Sequence, residues 1–365
     1  MTVLKRDKID FKEFLSILLI LLGFELSDMT PMIFFKRTQF STWMVPLIAS
    51  TIISIPYFFL LSLLNKYKTE NLMEIIRSLV GKYMGFLIGI FLFLFSLMAG
   101  ALRSRNYVHT IHSLFLSNTP MPIIFTFIFI GVWFIASRGF ETIGRLAWFI
   151  ILFSKLGLVL VILLSWKNMD LSMIFPLWGP GKLEIIRQSF HYSGFLVELI
   201  FLGMIYPFVK SYKIFKKASL LSIVITALEV TIFFLVYIVV FDYPTITMIA
   251  FPFQQLTMLI ETDRFLVNLE MIFLLFWIAS SMIRYSFFIY LTTATLGHTL
   301  NLKEFEPLLI PITALYIMVG LIPRNTVESV YALKSIAISS DLWIVFLLLP
   351  IILWVISKVR GGVSN

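Results

Sequence analysis

Two apolar stretches of the sequence carry glycine and acidic residues where a helix inside a membrane rarely carries them. The first, FLSILLILLGFELSDMTPMIF, contains Gly23 and Glu25, and the second, RQSFHYSGFLVELIFLGMIYPF, contains Gly194 and Glu198. A charged side chain inside a membrane is costly and marks a functional site. A helix that breaks at such a point frees backbone groups that must face a cavity. The chemistry predicted is binding of a small molecule, with the two carboxylates contacting an ammonium group or holding a proton.

The two stretches occupy corresponding places in the two halves of the chain. Gly194 follows Gly23 by 171 residues, and Glu198 follows Glu25 by 173 residues. Paired interrupted helices of this kind are typical of transporter folds. The alternative is that both are ordinary membrane helices that contain glycine and turn their acids into the bundle.

The side chains next to the two glycines are further candidates for ligand contact. Phe24 and Phe195 are predicted to shape the wall of a pocket, and Ser27 and Ser193 to donate hydrogen bonds. The chain has 38 phenylalanines, so packing or lipid contact is an equally simple role for the two aromatic rings.

Other charges lie inside apolar stretches. Lys155, in ILFSKLGLVLVIL, is a candidate for proton coupling because burial lowers the pKa of a lysine. The alternative is that Lys155 pairs with Glu25 or Glu198 and holds the helices together. Arg103 and Arg105, and similarly Arg284, are expected to reach the membrane surface or to bind an acid such as Asp28. Glu229 has no assigned role.

Motifs of enzymes and metal sites are absent from the sequence. It has no P-loop, no G-x-S-x-G, no H-E-x-x-H and no dinucleotide fingerprint. There is no cysteine, and the four histidines are scattered without metal-ligand spacing. The sequence therefore predicts a protein that is not an enzyme and has neither a metal site nor a cofactor.

The composition is that of a protein embedded in lipid. Of 365 residues, 59% are hydrophobic and 13% are charged, and the mean hydropathy is +0.97. Soluble domains are about 45–50% apolar and about 25% charged, so a soluble enzyme and a nucleic-acid-binding domain are both excluded. The net charge of +9 comes from Lys and Arg clusters between apolar stretches, where lipid headgroups and topology account for them.

Ten membrane spans are predicted, because about 20 apolar residues cross a bilayer as a helix. Short helices are also expected within 71–80 and 242–263. The spans are predicted near 12–34, 42–64, 84–112, 120–137, 141–166, 185–209, 214–241, 264–296, 305–323 and 339–358.

The loop charges predict the orientation of the chain. With both termini cytoplasmic, 17 Lys and Arg residues lie inside and 8 outside, as the positive-inside rule requires. The chain is predicted to be one transmembrane domain over 1–365. The spacing of the two interruptions suggests two inverted repeats of five spans, about 12–166 and about 185–358.

Several segments resemble the B subunits of the germinant receptors of endospore-forming bacteria. This family is a branch of the amino acid–polyamine–organocation transporter superfamily. The resemblance covers nearly the whole chain and is carried by GFELSDMTP in the first span, IGRLAWF at 143–149, Pro207 before the lysine cluster that ends at Lys217, and FPFQQLTMLIETDRFLVNLEMIFLLFWIASSMIRY at 251–285.

The resemblance implies an all-α, LeuT-like fold of ten helices with broken first and sixth helices. It implies a germinant pocket formed by the first, third, sixth and eighth helices, which Phe95, Met98 and Trp277 would line. It also implies partner A and C subunits, of which C is a lipoprotein, and a location in the inner spore membrane. Some superfamily members carry a lysine on the fifth helix in place of a sodium ion, and Lys155 resembles it.

The chain departs from the superfamily at the first interruption. Transporters usually show a small-residue run such as GxG, on which a substrate carboxylate docks, whereas this chain has Gly23, Phe24 and Glu25. The predicted function is a membrane subunit of a spore germinant receptor that binds a small nutrient, most simply an amino acid. The alternative is a proton-coupled amino acid or polyamine permease.

Overall fold

The computed structural model describes residues 8–23, 30–260, 269–323, 328 and 342–360, and these residues are almost entirely helical. In the described residues, the α-helices overlap the predicted helical ranges and both predicted short helices. They are α1 (Phe11–Gly23), α2 (Thr30–Thr38), α3 (Val45–Lys66), α4 (Leu72–Val80), α5 (Lys82–Leu114), α6 (Met121–Ser137), α7 (Phe140–Ser165), α8 (Lys182–Tyr192), α9 (Glu198–Phe201), α10 (Tyr212–Phe241), α11 (Pro252–Ile260), α12 (Leu269–Thr299), α13 (Leu309–Leu321) and α14 (Leu342–Val359).

Several of these helices identify a multi-pass membrane protein. Among the described residues, five helical stretches are long and apolar enough to cross a membrane, and three shorter helices are equally apolar. The five are Pro31–Lys66, Lys82–Leu114, Phe140–Asn168, Tyr212–Phe241 and Leu274–Thr299. Their outward faces carry large apolar side chains such as Phe149 and Leu156 of α7, which lie exposed as lipid contacts require.

The sixth predicted span is interrupted, and in the first predicted span residues 24–29 lie outside the described residues. Helix α1 ends at Gly23, and α2 begins at Thr30. In the sixth span, α8 gives way at Ser193 to a tighter 3₁₀ turn that runs to Val197, before the one-turn helix α9. Further 3₁₀ turns follow over 202–204 and 206–208. Such turns have poorer hydrogen bonds than an α-helix and mark points of rearrangement.

Helix α4 explains how the connection between the second and third spans is held. Its N-cap is Asn71, whose side chain accepts a hydrogen bond from the amide of Glu74, while the Glu74 carboxylate accepts one from the amide of Asn71. This reciprocal pair is a capping box, which fixes where the helix begins. The apolar face of α4 is buried, as expected for a short helix lying along the bundle.

The first interrupted helix lies at the centre of the bundle. Helix α1 packs against α7, α10 and α12, and α12 packs in turn against α5. The start of α1 also meets the end of the sixth span, because the amide of Ile9 donates to the carbonyl of Phe208 at 2.9 Å. The amide of Lys210 donates back to the carbonyl of Ile9 at 3.1 Å. The two interrupted helices are therefore joined at one end of the molecule.

Candidate functional site

A small cavity lies beside the second interruption. Its walls come from α5, from the segment 194–201 and from α12. The lining residues are Phe95, Ser96, Ala99, Arg103, Gly194, Val197, Glu198, Phe201, Phe288 and Leu291. The space open to the centre of a water molecule is about 30 Å³, which accommodates about two water molecules. The cavity is therefore small.

The polar part of the cavity is a cluster of three charged side chains from three different elements. Glu198, the first residue of α9, contacts the guanidinium of Arg103 on α5. A second guanidinium, from Arg284 on α12, lies 3.8 Å from Glu198 Oε1. Arg284 is only 3% exposed, and the other two side chains are 11% exposed. Two cations thus surround one acid in a place of low dielectric, where ion pairs are strong.

The remainder of the cavity is apolar and aromatic. The rings of Phe95 and Phe201 stack with centroids 6.1 Å apart, and the ring of Phe346 on α14 lies 4.0 Å from that of Phe95. On the other side, the Arg284 guanidinium lies over the ring of Phe288 at 5.5 Å. A ligand here would meet charged groups at one end and aromatic side chains at the other.

A second charged pair lies beside the first interruption. Lys155 of α7 contacts the carboxylate of Glu229 of α10, and both are partly buried, with exposures of 28% and 12%. A Cβ atom added at Gly23 would lie 3.5 Å from both charged groups. The expectation that Lys155 pairs with Glu25 or Glu198 is wrong for Glu198, which pairs with arginines instead, and Glu25 lies outside the described residues.

The other predicted residues are divided between the cavity and the surrounding packing. Phe95, Gly194 and Glu198 line the cavity, but Met98 is 37% exposed and lies outside its lining. The Ser193 hydroxyl donates to the carbonyl of Phe190 at 2.6 Å, a bond inside the helix. The ring of Trp277 packs on that of Tyr107, with centroids 4.6 Å apart. Phe24, Glu25 and Ser27, and the side chain of Phe195, lie outside the described parts of the chain.

Sequence reasoning missed the importance of Arg103, Arg284 and Glu229. Each is a charged residue inside an apolar span, and that signal was present in the sequence. The partners of these residues could not be identified from the sequence. Arg103 contacts Glu198, and Glu229 contacts Lys155, only because helices that are distant in the sequence pack together. Within the described residues, no group of three or more histidine or acidic side chains is placed to hold a metal ion.

Comparison with known proteins gives consistent matches. The chain matches the family described as "Spore germination protein" over residues 10–329. It is 24% identical to Spore germination protein YndE of Bacillus subtilis (strain 168) over 326 residues, 87% of each chain. It is 24% identical to Spore germination protein B2 of the same organism over 203 residues, so the chain covers 54% of that relative's length. Putative spore germination protein YfkT is 26% identical over 240 residues, 65% of each chain.

Proposed function

Because the chain belongs to the spore germination protein family, we propose that it is a membrane subunit of a germinant receptor that binds a small nutrient in the cavity beside the second interruption. The family groups the chain with B-type receptor subunits rather than with enzymes. The observation that supports the site is the cavity itself, in which Glu198 and Gly194 of the interrupted segment meet Arg103 of α5. Charged groups converging with aromatic walls are typical of small-molecule sites.

Nutrient binding works by shifting the populations of two conformations. The cavity is small, and the segment of 3₁₀ turns allows a more open state in which the nutrient is held. A ligand stabilises that state only to the extent that it binds it better than the closed one. The proposal includes the sequence-based expectation that Gly23, Phe24, Glu25 and Ser27 contact the nutrient, with Glu25 binding its ammonium group.

The wider architecture is part of the same proposal. The chain forms a single domain of ten spans in two inverted repeats, with both termini on the cytoplasmic, spore-core side of the inner membrane. It acts together with an A subunit and a lipoprotein C subunit, which receive the conformational change. The apolar outer faces of α7 and α10 contact lipid or these partners.

One observation favours a second function, a proton-coupled permease. The Lys155–Glu229 pair is partly buried next to the end of α1 at Gly23. Protonation of this pair is the step that would couple a proton gradient to movement of the first interrupted helix.

The experiment uses spores in which this chain belongs to the only nutrient receptor. Germination is measured against a panel of amino acids, nucleosides and sugars, with and without the gene. The proposal predicts a response to at least one nutrient that disappears with the gene and returns with it. Uptake of the same labelled nutrients into vesicles containing the chain alone, with no gene-dependent germination, would instead support the permease.

A further inference from the structure

A second pocket lies at the end of the molecule where the first and sixth spans meet. Its walls come from three segments that are distant in sequence: Lys8 before α1, Lys68 and Thr69 between α3 and α4, and residues within 206–212, which end the sixth span and begin α10. The space open to the centre of a water molecule is about 240 Å³, which accommodates on the order of twenty water molecules. The pocket is therefore large enough to hold a small polar solute.

The lining of this pocket is positively charged. Lys8, Lys68 and Lys210 belong to it, and no acidic side chain does within the described residues. Lys210 pairs with Asp10, outside the lining, at 2.8 Å between Nζ and Oδ2. Lys8 and Lys68 are exposed, and neither has an ion-pair partner in the described part of the chain. Because Asp10 balances Lys210, the net charge of the lining comes from Lys8 and Lys68.

A buried hydroxyl adds a hydrogen-bond donor to the pocket. Tyr206 belongs to the lining although it is only 4% exposed, and its ring packs edge-on against Phe215, with centroids 5.2 Å apart. The Tyr206 hydroxyl makes no hydrogen bond within the described residues. A buried polar group without a partner is costly, so an oxygen atom of a ligand in the pocket would stabilise this side chain.

These groups match the chemistry of a phosphate. Each lysine ammonium has three donors and acts as a point charge toward phosphate oxygens. Basic pockets between membrane helices on the cytoplasmic side bind phosphate-bearing headgroups, and the orientation proposed above places this pocket on that side. The positive-inside rule accounts for the number of lysines here. It does not account for lysines from three segments surrounding one pocket that also contains a buried hydroxyl.

We propose that this pocket binds a phosphate group, from an anionic lipid headgroup or from a soluble phosphate compound, and that the bound phosphate holds the first and sixth spans together. Lys8 precedes Ile9, whose amide and carbonyl make the two backbone bonds that join these spans, at 2.9 and 3.1 Å. Lys68 belongs to a different segment, the connection between α3 and α4. A phosphate that contacts both lysines binds best while these segments are together, and it therefore stabilises that arrangement.

The test measures thermal unfolding of the purified full chain at constant ionic strength. In an uncharged detergent, inorganic phosphate and glycerol phosphate are titrated against chloride. In lipid nanodiscs, phosphatidylcholine alone is compared with phosphatidylcholine that also contains phosphatidylglycerol. We expect a saturable rise of the unfolding temperature in at least one arm, because a ligand stabilises the fold that binds it. A rise in the first arm shows that free phosphate binds, and a rise confined to the second shows that the lipid headgroup is required. No rise in either arm would overturn the inference.

Two double variants separate the pocket from the general charge of this end of the molecule. Lys8→Gln with Lys68→Gln removes two lysines of the lining, so the rise should be lost. The control is Lys213→Gln with Lys216→Gln, because both residues are exposed on α10 and lie outside the lining. It removes the same charge and should keep the rise. Equal loss in the two double variants would show attraction to the whole surface and contradict a site in the pocket.

Tyr206→Phe removes the hydroxyl and keeps the ring against Phe215. The phosphate concentration, or the phosphatidylglycerol fraction, that gives half of the rise should increase by about tenfold, as expected for loss of a hydrogen bond to a charged group. An unchanged half-maximal value would contradict the placement of the phosphate beside Tyr206. None of these measurements involves a nutrient, so their failure would leave the proposed receptor function standing.

Discussion

The two glycine-containing stretches of the first and sixth spans differ in where the neighbouring charged side chains lie. Beside the first, at Gly23, Lys155 and Glu229 belong to the flanking helices α7 and α10 and contact each other. At the second, Glu198 is part of the interrupted segment and meets two arginines from outside it. A pair between flanking helices holds those two helices together. An acid within an interrupted segment moves with that segment, so the side chains it contacts change when the segment changes conformation.

The largest expected difference between the two regions is in nutrient response. Arg103→Gln removes a guanidinium that lines the cavity and leaves the buried Glu198 with one contact fewer, so germination should be lost at every concentration of the active nutrient. Lys155→Gln should leave a measurable response with an altered half-maximal concentration. Dose–response curves on spores with matched protein levels, judged by immunoblot, make the comparison. Equal loss in both variants would remove the distinction between the regions.

A change in cavity volume tests the second region without changing its charge. Ala99 lines the cavity, and its neighbour Met98 is exposed on another face of α5. Ala99→Leu places a larger side chain in the cavity wall, so the half-maximal nutrient concentration should rise by about tenfold or more. Met98→Leu should leave it unchanged. A larger effect at Met98 than at Ala99 would show that the nutrient binds elsewhere on α5.

The bracing role of the first region predicts a stability effect. Lys155→Met or Glu229→Leu alone leaves a partly buried charge without its partner, which should cost on the order of 2 kcal/mol of unfolding free energy. The double variant should lose less than either single one, because no buried charge remains. Thermal unfolding of the purified chain in detergent measures this. Additive losses in the double variant would contradict a direct interaction.

The junction of the two interrupted helices predicts a small pH effect. Lys210 donates a hydrogen bond to Asp10 at 2.8 Å, and this bond holds the pKa of Asp10 below its ordinary value of 3.8. The same contact raises the pKa of Lys210 above 10.5. The ion pair therefore stabilises the fold at neutral pH and is lost as pH falls below 3.8 or rises beyond 10.5.

Asp10→Asn isolates that contribution. The variant should unfold at a slightly lower temperature than wild type at pH 7, because exposed ion pairs contribute little. The difference should shrink as the pH falls through the pKa of Asp10 in the folded protein. Lys36→Gln, on the end of α2, is a control for loss of one surface charge. A difference that persists unchanged at acidic pH would rule out the ion pair as its cause.

The helices and the interruption of the sixth span could be predicted from sequence, because their signals are local. Apolar length marks a span, glycine and acid mark a break, and the capping box at Asn71 fixes the start of α4. Glu198 and Gly194 were predicted as site residues for the same reason, and they line the cavity.

Two features could not be predicted from the sequence: which charged residues pair with each other, and which side of α5 faces the cavity. Lys155 and Glu229 are 74 residues apart, and only the packing of α7 against α10 brings them together. Helix α5 is apolar on all sides, because one side meets lipid and the other the bundle. Its hydrophobic pattern therefore carries no rotational signal, which is why Met98 was assigned to the pocket and its neighbour Ala99 was not.

The central claim is that the second interruption holds the nutrient site, and Gly194 tests it most directly because this glycine lines the cavity. Germination of spores carrying Gly194→Leu should be lost or shifted to much higher nutrient concentration, at an unchanged protein level. Val224→Leu, on the exposed face of α10, should respond as wild type. A normal dose–response in Gly194→Leu would contradict the account and move the site away from the sixth span.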